Sequence, residues 1–419
     1  MNSNLSFQIP NSKLPRGWHW VKLGEVCKIN PPRPKNFVRS PDAPTTFVPM
    51  AAVDEKTGTI LTPEVFPYSK VFKGYTYFEE NDVLFAKITP CMQNGKHVIA
   101  RNLIDGIGFG TTEFHVLRPN NEILSEWIYY FIRQPYFLHE ATAYFTGAVG
   151  QQRVPDSFLS NYIIPLPAIE EQKRVATKIH ELMQEVERAR TACEKELEAA
   201  NTLPAAYLRE VFESEESRKW ERKRLGEVCE IISKGTTPTT YGHSFVSSGV
   251  PFLRAEDITG GPVDFSSVTF YITKKTHDFL ARSKLYPGDL LVTIAGTLGR
   301  VGYVPDAAPE ANCNQAVAFA RVDPTKAYVK FLCYVLQVQE ILAPFIELKA
   351  GGTIQNLNLD QVRRIKIPLP DLSTQWHIVD ELKEKMAQVE NLQSAIRNQL
   401  SALNTLPQAI LRQAFNGEL

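Results

Sequence analysis

One segment written twice, 203 residues apart, constrains what this chain can fold into. Ile164-Pro165-Leu166-Pro167 through Phe212 recurs as Ile367-Pro368-Leu369-Pro370 through Phe415, with 367 − 164 = 203 and 415 − 212 = 203. Gln172 falls on Gln375, Met183 on Met386, Val186 on Val389, and Asn201-Thr202-Leu203-Pro204 on Asn404-Thr405-Leu406-Pro407. The shared apolar positions are Val175/Ile378, Ile179/Leu382, Met183/Met386, Val186/Val389, Ala189/Leu392, Cys193/Ile396, Leu197/Leu400 and Ala200/Leu403. Their spacing alternates between three and four residues, the narrow stripe of a helix that packs on another helix. Two such stripes in one chain are natural partners, which predicts an antiparallel coiled coil with internal pseudo-two-fold symmetry. The alternative is that each stripe covers only its neighbouring domain. Leu-Pro near the end of each copy is expected to stop or kink the rod, because proline has no N–H to donate. A short second helix, residues 205–212 or 408–415, would follow. At 1.5 Å per residue, positions 168–201 give a rod of roughly 50 Å.

The duplication reaches further back. Trp18 to Cys27 reads WHWVKLGEVC and Trp220 to Cys229 reads WERKRLGEVC. The repeat unit is therefore half the chain, a globular segment followed by a rod. This gives a globular domain over 1–167, a helical region over 168–219, a second globular domain over 220–370 and a second helical region over 371–419. The fold class expected is α+β, two mixed α/β domains joined by two long helices. Between the anchors the globular segments barely resemble each other, as expected if each holds a different target in the same frame. In the first, Asp82 to Ala86 and Phe114 to Leu117 read as strands, and Ser125 to Phe137 as a helix. In the second, Gly288 to Ile294, Gly299 to Val304 and Ala316 to Val322 read as strands, and Ala327 to Leu342 as a helix.

With 43% hydrophobic residues the chain can build real cores, so global disorder is excluded. No apolar run is long enough to span a membrane and the first ten residues lack a signal pattern, which points to the cytoplasm. The six cysteines show no metal-ligand spacing. Zero net charge looks unfavourable for a nucleic-acid partner until it is divided. Residues 1–167 carry 16 Lys+Arg against 14 Asp+Glu and residues 220–370 carry 17 against 14, while the helical regions carry 9 against 12 and 4 against 6. The globular parts are thus +2 and +3 and the rods −3 and −2, which permits DNA binding by the former.

Both globular segments carry loops rich in hydrogen-bonding side chains beside glycine. Lys87, Gln93, Asn94, Lys96, Gln151, Gln152 and Arg153 are the candidates in the first. Lys234, Thr236, Thr237, Arg300, Asn314, Gln315, Gln355 and Asn356 are those in the second. Arg and Lys pair with guanine edges, Asn and Gln with adenine, and hydroxyls with phosphates. The same residue types also make ordinary turns. Tyr207, Leu208, Phe212, Ile410, Leu411 and Phe415, near the Leu-Pro positions, are candidates either for docking a partner or for capping the coiled coil's own ends.

Fragments of catalytic motifs fail on context. Asn30-Pro31-Pro32-Arg33 approaches an amino-methyltransferase signature but carries Arg33 where an aromatic would stack on a flipped base. Gly106 to Gly110 is glycine-rich, yet a strand follows it and not a phosphate-binding helix. Pro370-Asp371 with Glu381-Leu382-Lys383 mimics a nuclease pattern but lies on the second rod. There is no G-x-x-x-x-G-K-[ST] loop. The residues point to a chain that is not an enzyme.

W-x₄-LGEVC, IPLP before a Gln-bearing helix, the NTLP position, Lys234-Gly235-Thr236-Thr237-Pro238, Gly288-Asp289-Leu290-Leu291 and the closing Leu411 to Leu419 resemble the specificity subunit of Type I restriction-modification systems. The resemblance covers essentially the whole chain. It implies that each globular domain is a target-recognition domain reading one half of a split site in double-stranded DNA. The rods would fix the unread gap and dock two methyltransferase subunits, with restriction subunits added where present. It implies no cofactor in this chain: S-adenosylmethionine, ATP and Mg would come with partner subunits. A protein-interaction scaffold and a self-contained adenine methyltransferase are the competing readings.

Overall fold

The structure, a computed structural model, describes residues 14–148, 151–346 and 356–419. It divides into two compact units, one running up to Glu194 and including Asn398–Leu419, the other Lys195–Arg397. The strands are β1 (His19–Lys22), β2 (Cys27–Ile29), β3 (Pro44–Val48), β4 (Glu64–Pro67), β5 (Thr76–Glu79), β6 (Val83–Ala86), β7 (His97–Ile99), β8 (Ile107–Gly110), β9 (Phe114–Pro119) and β10 (Ile163–Leu166) in the first unit. The second has β11 (Glu221–Arg224), β12 (Cys229–Lys234), β13 (Val250–Leu253), β14 (Tyr271–Ile272), β15 (Lys284–Leu285), β16 (Asp289–Thr293), β17 (Val301–Tyr303), β18 (Ala311–Cys313), β19 (Val317–Val322) and β20 (Lys366–Leu369).

The two anchors repeated in the sequence pair with each other inside each unit. β1 runs antiparallel to β10, with Trp20 opposite Pro165, and β11 runs antiparallel to β20, with Arg222 opposite Pro368. Each pair is a two-stranded ladder, whose free edges tolerate a proline that has no N–H to give.

Beyond the anchors, the two globular domains have one topology. The first has sheets ordered β2-β9-β6-β7 and β4-β3-β8-β5; the second has β12-β19-β16-β17 and β14-β13-β18-β15. The parallel pair recurs as well, β3 with β8 and β13 with β18. In the first unit Leu84, Ala86 and Val116 face Val48 and Phe78 of the other sheet, while Val83, Phe85 and Leu117 face helices and rod. A strand covered on both faces reads as an unbroken apolar run, here Val83-Leu84-Phe85-Ala86. Leu291 and Phe319 between sheets, with Leu290 and Val292 toward the helices, repeat the arrangement. The glycine-rich stretch 106–110 belongs to this packing. A Cβ on Gly108 would lie 2.3 Å from the Phe78 ring, so the glycine makes room for an aromatic core residue.

A buried acid braces the start of each central strand. Asp82 receives Arg118 through Nε (2.9 Å) and Nη2 (2.7 Å), and Asp289 receives Arg321 at 3.0 and 3.1 Å. The preceding residues, Asn81 and Gly288, both have positive φ, at 70° and 82°. Gly288-Asp289-Leu290-Leu291 is thus a left-handed turn leading into a core strand.

Each expected domain helix is broken in two. Ser125–Ile132 is followed by Pro135–Ala143, because Gln134 precedes a proline and is extended. Val329–Val335 is followed by Gln339–Ile346; there the Gln337 side chain takes the Cys333 carbonyl (2.9 Å) that a continuing helix would use.

The rods are longer than expected and are not stopped by proline. α1 (Ile169–Phe212) and α2 (Leu372–Phe415) contain 44 residues each, about 66 Å, and run through Pro204 and Pro407. Residues 205–212 and 408–415 therefore continue the rods and form no separate helices. In the first unit α1 and α2 run antiparallel, with Arg174 Nη2 donating to Leu419 O (2.7 Å) and Cys193 beside Gln399. In the second, Gln393 meets Asn201 (3.1 Å) and Lys385 meets Glu210 (3.5 Å), again antiparallel. The stripe divides its work. Val175, Ile179, Ile378 and Leu382 sink into their own domain's core, whereas Val389, Ile396 and Ala200 are buried further along the rods. Ala189 and Leu392 fall outside the seam, both exposed.

Gln172 and Gln375 join rod to domain. Gln172, fully buried, accepts from Leu124 N (2.9 Å) and donates to Glu122 O (2.8 Å) and Pro167 O (2.9 Å). Gln375 accepts from Tyr328 N (2.8 Å) and donates to Pro370 O (2.8 Å). Leu124 and Tyr328 are the N-cap residues of the helices they precede, so one side chain satisfies an orphan helix donor and ties the rod to it.

Candidate nucleic-acid interface

Strand direction decides which loops stand together. β2 and β6 both run antiparallel to β9, so the chain leaving β2 (from Asn30), the chain leaving β6 (from Lys87) and the chain entering β9 (Thr111 to Glu113) emerge at one end of the sheet. In the second domain the corresponding segments are Gly235 onward, Ile294 to Arg300, and Asn314 to Ala316. Among the described residues, the candidates of both domains gather on the segments at this end. The rod starts from the other, where Gln172 meets Glu122 and Leu124 just after β9.

In the first domain the segment 87–96 is laced to 151–154. Thr89 N donates to Gln152 O (3.0 Å), Val154 N donates to Lys87 O (3.0 Å) and Ile88 bridges to Arg153. Lys87, Gln151, Gln152 and Arg153 are therefore neighbours although 64 residues separate Lys87 from Gln151. Gln151 is exposed and Gln152 half-buried. Arg153 is held by Glu113 through Nε (2.8 Å) and Nη2 (2.7 Å), and that bond lowers the Glu113 pKa. The Lys87 ammonium is half-buried, makes no ion pair among the described residues and has its pKa lowered by burial. Gln93 and Asn94 are exposed, Gln93 accepting from the Thr89 hydroxyl (2.8 Å). Lys96 is turned inward instead, donating to Val53 O (3.1 Å), and holds the loop to the segment 50–53.

In the second domain Thr236 N donates to Cys313 O (3.0 Å), and the Thr237 hydroxyl bonds to Gln315 Oε1, which brings the two candidate loops together. Asn314 Oδ1 accepts from Ala316 N (3.1 Å), shaping the turn. Lys234 and Arg300 are exposed without an ion-pair partner among the described residues. Asn356 is exposed beside Leu357, whose N–H donates to Ile294 O (2.9 Å). Gln355 lies outside the described residues.

Five of the six residues considered for docking are buried in the chain's own cores. Phe415 packs on Trp127 (4.6 Å between ring centroids) with Ile410 and Leu411 in the first unit, and Phe212 packs on Phe331 (5.5 Å) beside Leu208 in the second. Tyr207 alone is half-exposed, with Lys385 over its ring. Tertiary packing of the rod ends explains these apolar residues.

Chemistry-bearing fragments are absorbed by structure. Asp371 accepts from Thr374 N (3.0 Å) at the start of α2, and Glu381 pairs with Lys385 (2.9 Å) one turn on. Asn30, at φ 50°, accepts from Val116 N (3.0 Å). Among the described residues no group of three or more His, Cys, Asp or Glu side chains could hold a metal ion, and no helix is long and apolar enough to cross a membrane. Sequence reasoning missed Arg33 and Lys35. They follow Asn30 in a Pro31-Pro32-Arg33-Pro34-Lys35 run and line a cleft with Lys87; the methyltransferase-like fragment covers Arg33 alone and stops short of Lys35. The alternation of proline and cation was the available signal.

Residues 15–198 and 217–402 match the family described as Type I restriction modification DNA specificity domain. The EcoEI specificity subunit of Escherichia coli is 40% identical over 172 residues, 41% of this chain and 28% of that protein. The EcoAI specificity subunit is 38% identical, over 29% of its length. The chain thus aligns with less than a third of the length of these two relatives. The EcoKI specificity subunit of E. coli K12 is 23% identical over 73% of this chain and 68% of its own. Among solved structures, the HsdS subunit from Thermoanaerobacter tengcongensis is 26% identical with a TM-score of 0.70, covering 98% of this chain and 99% of that one. A chain from a study of complex assembly and conformational transition of the type I R-M system is also 26% identical, with a TM-score of 0.76, over 97% of this chain and all of that one. With both halves matched, the chain belongs to the Type I restriction modification DNA specificity domain family.

Proposed function

We propose that this chain is the DNA-specificity subunit of a Type I restriction-modification complex. Residues 1–167 and 220–370 are its target-recognition domains, each reading one half of a bipartite site. Residues 168–219 and 371–419 are the helical regions whose length sets the gap between the halves. The observation that carries this reading is a single strand order used twice, with different polar residues at the same end of each sheet. One frame presents two different reading surfaces. The DNA-contacting residues are Lys87, Gln93, Asn94, Gln151, Gln152 and Arg153 in the first domain and Lys234, Thr236, Thr237, Arg300, Asn314, Gln315, Gln355 and Asn356 in the second, each meeting either a base edge or a backbone phosphate. The exposed faces of the rods dock two methyltransferase subunits, since the apolar residues at the rod ends already serve the domain cores. The chain itself catalyses nothing and works in the cytoplasm. S-adenosylmethionine arrives with the methyltransferase subunits, and ATP and Mg with restriction subunits where those are present.

The test is to reconstitute the chain with its methyltransferase partner and sequence the methylated positions on random DNA. A split motif with a fixed gap is expected. A continuous motif, or methylation that persists without this chain, contradicts the reading.

A further inference from the structure

The cleft between Asn30-Pro31-Pro32-Arg33-Pro34-Lys35 and Lys87 has no role in the fold described so far. It opens at the loop end of the first domain, and its floor is aromatic, including Phe37, Phe72, Tyr75 and Tyr77. Among the described residues, three cations line it and no Asp or Glu does. Arg33 is oriented by neutral groups only: Nη1 donates to the Tyr68 hydroxyl (2.8 Å) and to Phe72 O (3.2 Å), leaving Nη2 and Nε free. Lys87 is fixed through its main chain, which donates to Glu113 O (2.9 Å) and accepts from Val154 N. Glu113, whose charge acts on Lys87, is engaged by Arg153 through both carboxylate oxygens and is not within ion-pair distance of Lys87. Two half-buried cations therefore share one concavity with no ion-pair partner among the described residues, the charges of Glu113 and Asp156 reaching Lys87 only from beyond ion-pair distance. Burial lowers the Lys87 pKa, as expected for an ammonium awaiting an anion.

We propose that this cleft seats a backbone phosphate of the DNA at the first half-site, with Arg33 and Lys87 as the gripping groups. The proposal rests on the specificity-subunit reading and adds to it an anchor that carries no sequence information. A guanidinium with two free N–H directions suits a phosphate oxygen pair, and a neighbouring ammonium adds a point charge. The aromatic floor limits competing hydration. A phosphate contact fixes register without choosing bases.

The experiment uses the full chain in its reconstituted methyltransferase complex, with R33Q, K87M and the charge-keeping R33K, and K326M, exposed at the end of the second domain opposite its loops, as control. Binding to a duplex carrying the methylated motif and to a scrambled duplex is measured across salt concentration. For R33Q and K87M, affinity should fall by the same factor on both duplexes, and the slope of log Kobs against log salt should lose about one unit per cation removed. R33K and K326M should keep the slope, and the methylated motif should be unchanged in all. A relaxed first half-site with the salt slope intact would make the cleft a base reader and overturn the proposal. So would unchanged binding by variants whose circular dichroism matches the parent. If the parent complex binds no duplex, the specificity reading fails. Tripolyphosphate titration then examines the cleft alone: weaker binding by R33Q and K87M supports an oxyanion seat, and equal binding removes it.

Discussion

The side-chain amide of Gln393 on α2 donates to the carbonyl oxygen of Ala200 on α1, at 3.4 Å. Ala200 is the residue whose helical partner would be the N–H of position 204, and position 204 is proline. The neighbouring rod therefore supplies the donor that proline removes, which explains why α1 continues through Pro204. The same amide also reaches Asn201 Oδ1 at 3.1 Å. Gln393→Ala should destabilise the second unit by about 1 kcal/mol, the usual net value of one hydrogen bond. Pro204→Ala returns the backbone donor. Chemical denaturation of the four members of this cycle should show Gln393→Ala costing clearly less in the Pro204→Ala background. Equal costs in both backgrounds would mean that the contact does not compensate for the proline.

The buried amides at the rod bases should be more sensitive. Gln172→Met keeps the volume but removes the partner of the Leu124 N–H and of two carbonyls, that of Pro167 being buried. A loss of about 2–3 kcal/mol is expected, from the cost of leaving buried backbone groups unpaired. Gln375→Met removes a two-bond version of the same junction and should cost less. Hydrogen exchange at Leu124 and Tyr328 would report each junction separately, and unchanged protection at both would refute the capping role.

The rods were legible because a helix repeats its contacts every three or four residues, so Val175, Ile179 and Met183 announce one face without any long-range information. Their ends are not legible, because Pro204 reads locally as a stop and the Gln393 that offsets it lies 189 positions away. The common topology of the two domains was hidden for a different reason. Val83-Leu84-Phe85-Ala86 and Asp289-Leu290-Leu291-Val292-Thr293 need only be apolar on both faces, a demand that many sequences meet. Side-chain chemistry suggested the candidate loops, but their meeting depends on pairings such as Lys87 with Val154, which no local pattern encodes. Lys96 shows the cost: its residue type suits DNA, yet its ammonium is tied to Val53 O.

Acid should weaken the first domain through two histidines. His97 is fully buried, stacked on Phe85 (4.4 Å), with Nδ1 accepting from Ala86 N; burial, aided by the Arg133 charge, holds its pKa well below the ordinary 6.5. His115 is also lowered by burial, and its Nε2–H donates to Val154 O (2.8 Å). Because the folded pKa lies below the unfolded one, the unfolded chain binds more protons below about pH 6.5. The stability these groups give is complete above that pH and is lost as pH falls, at up to roughly 1.4 kcal/mol per pH unit for each. His97→Asn, which keeps an acceptor near Ala86 N, should flatten the dependence between pH 7 and 5 measured by denaturant titration. A slope identical to the parent would show that His97 protonates freely in the fold.

Arg300 is exposed in the hairpin between β16 and β17, its main chain fixed by Thr293 Oγ1 (2.8 Å). If it reads a base edge, Arg300→Ala should relax one position of the second half-site at a cost of about 1–3 kcal/mol and leave the first half-site as it was. Sequencing of methylated sites from the variant complex checks this. Uniform weakening on every sequence would reassign Arg300 to a phosphate.

The rods themselves offer the sharpest test of a ruler. Cys193 stands beside Gln399 in the first unit and Asn201 beside Gln393 in the second, and the repeat equivalents 195 and 398 fall between these pairings in sequence. Removing residues 192–198 from α1 and 395–401 from α2 takes out repeat-equivalent heptads. Seven residues keep the phase of a stripe that repeats every three and four, so the seam should re-form. Each rod shortens by about 10 Å, or about three base pairs of duplex. The methylated motif should keep both half-sites while its gap contracts, or binding should fail where the shorter gap turns the second half-site away around the helix. A shortened protein that remains helical, binds tightly and methylates with the original gap would show that spacing is set elsewhere.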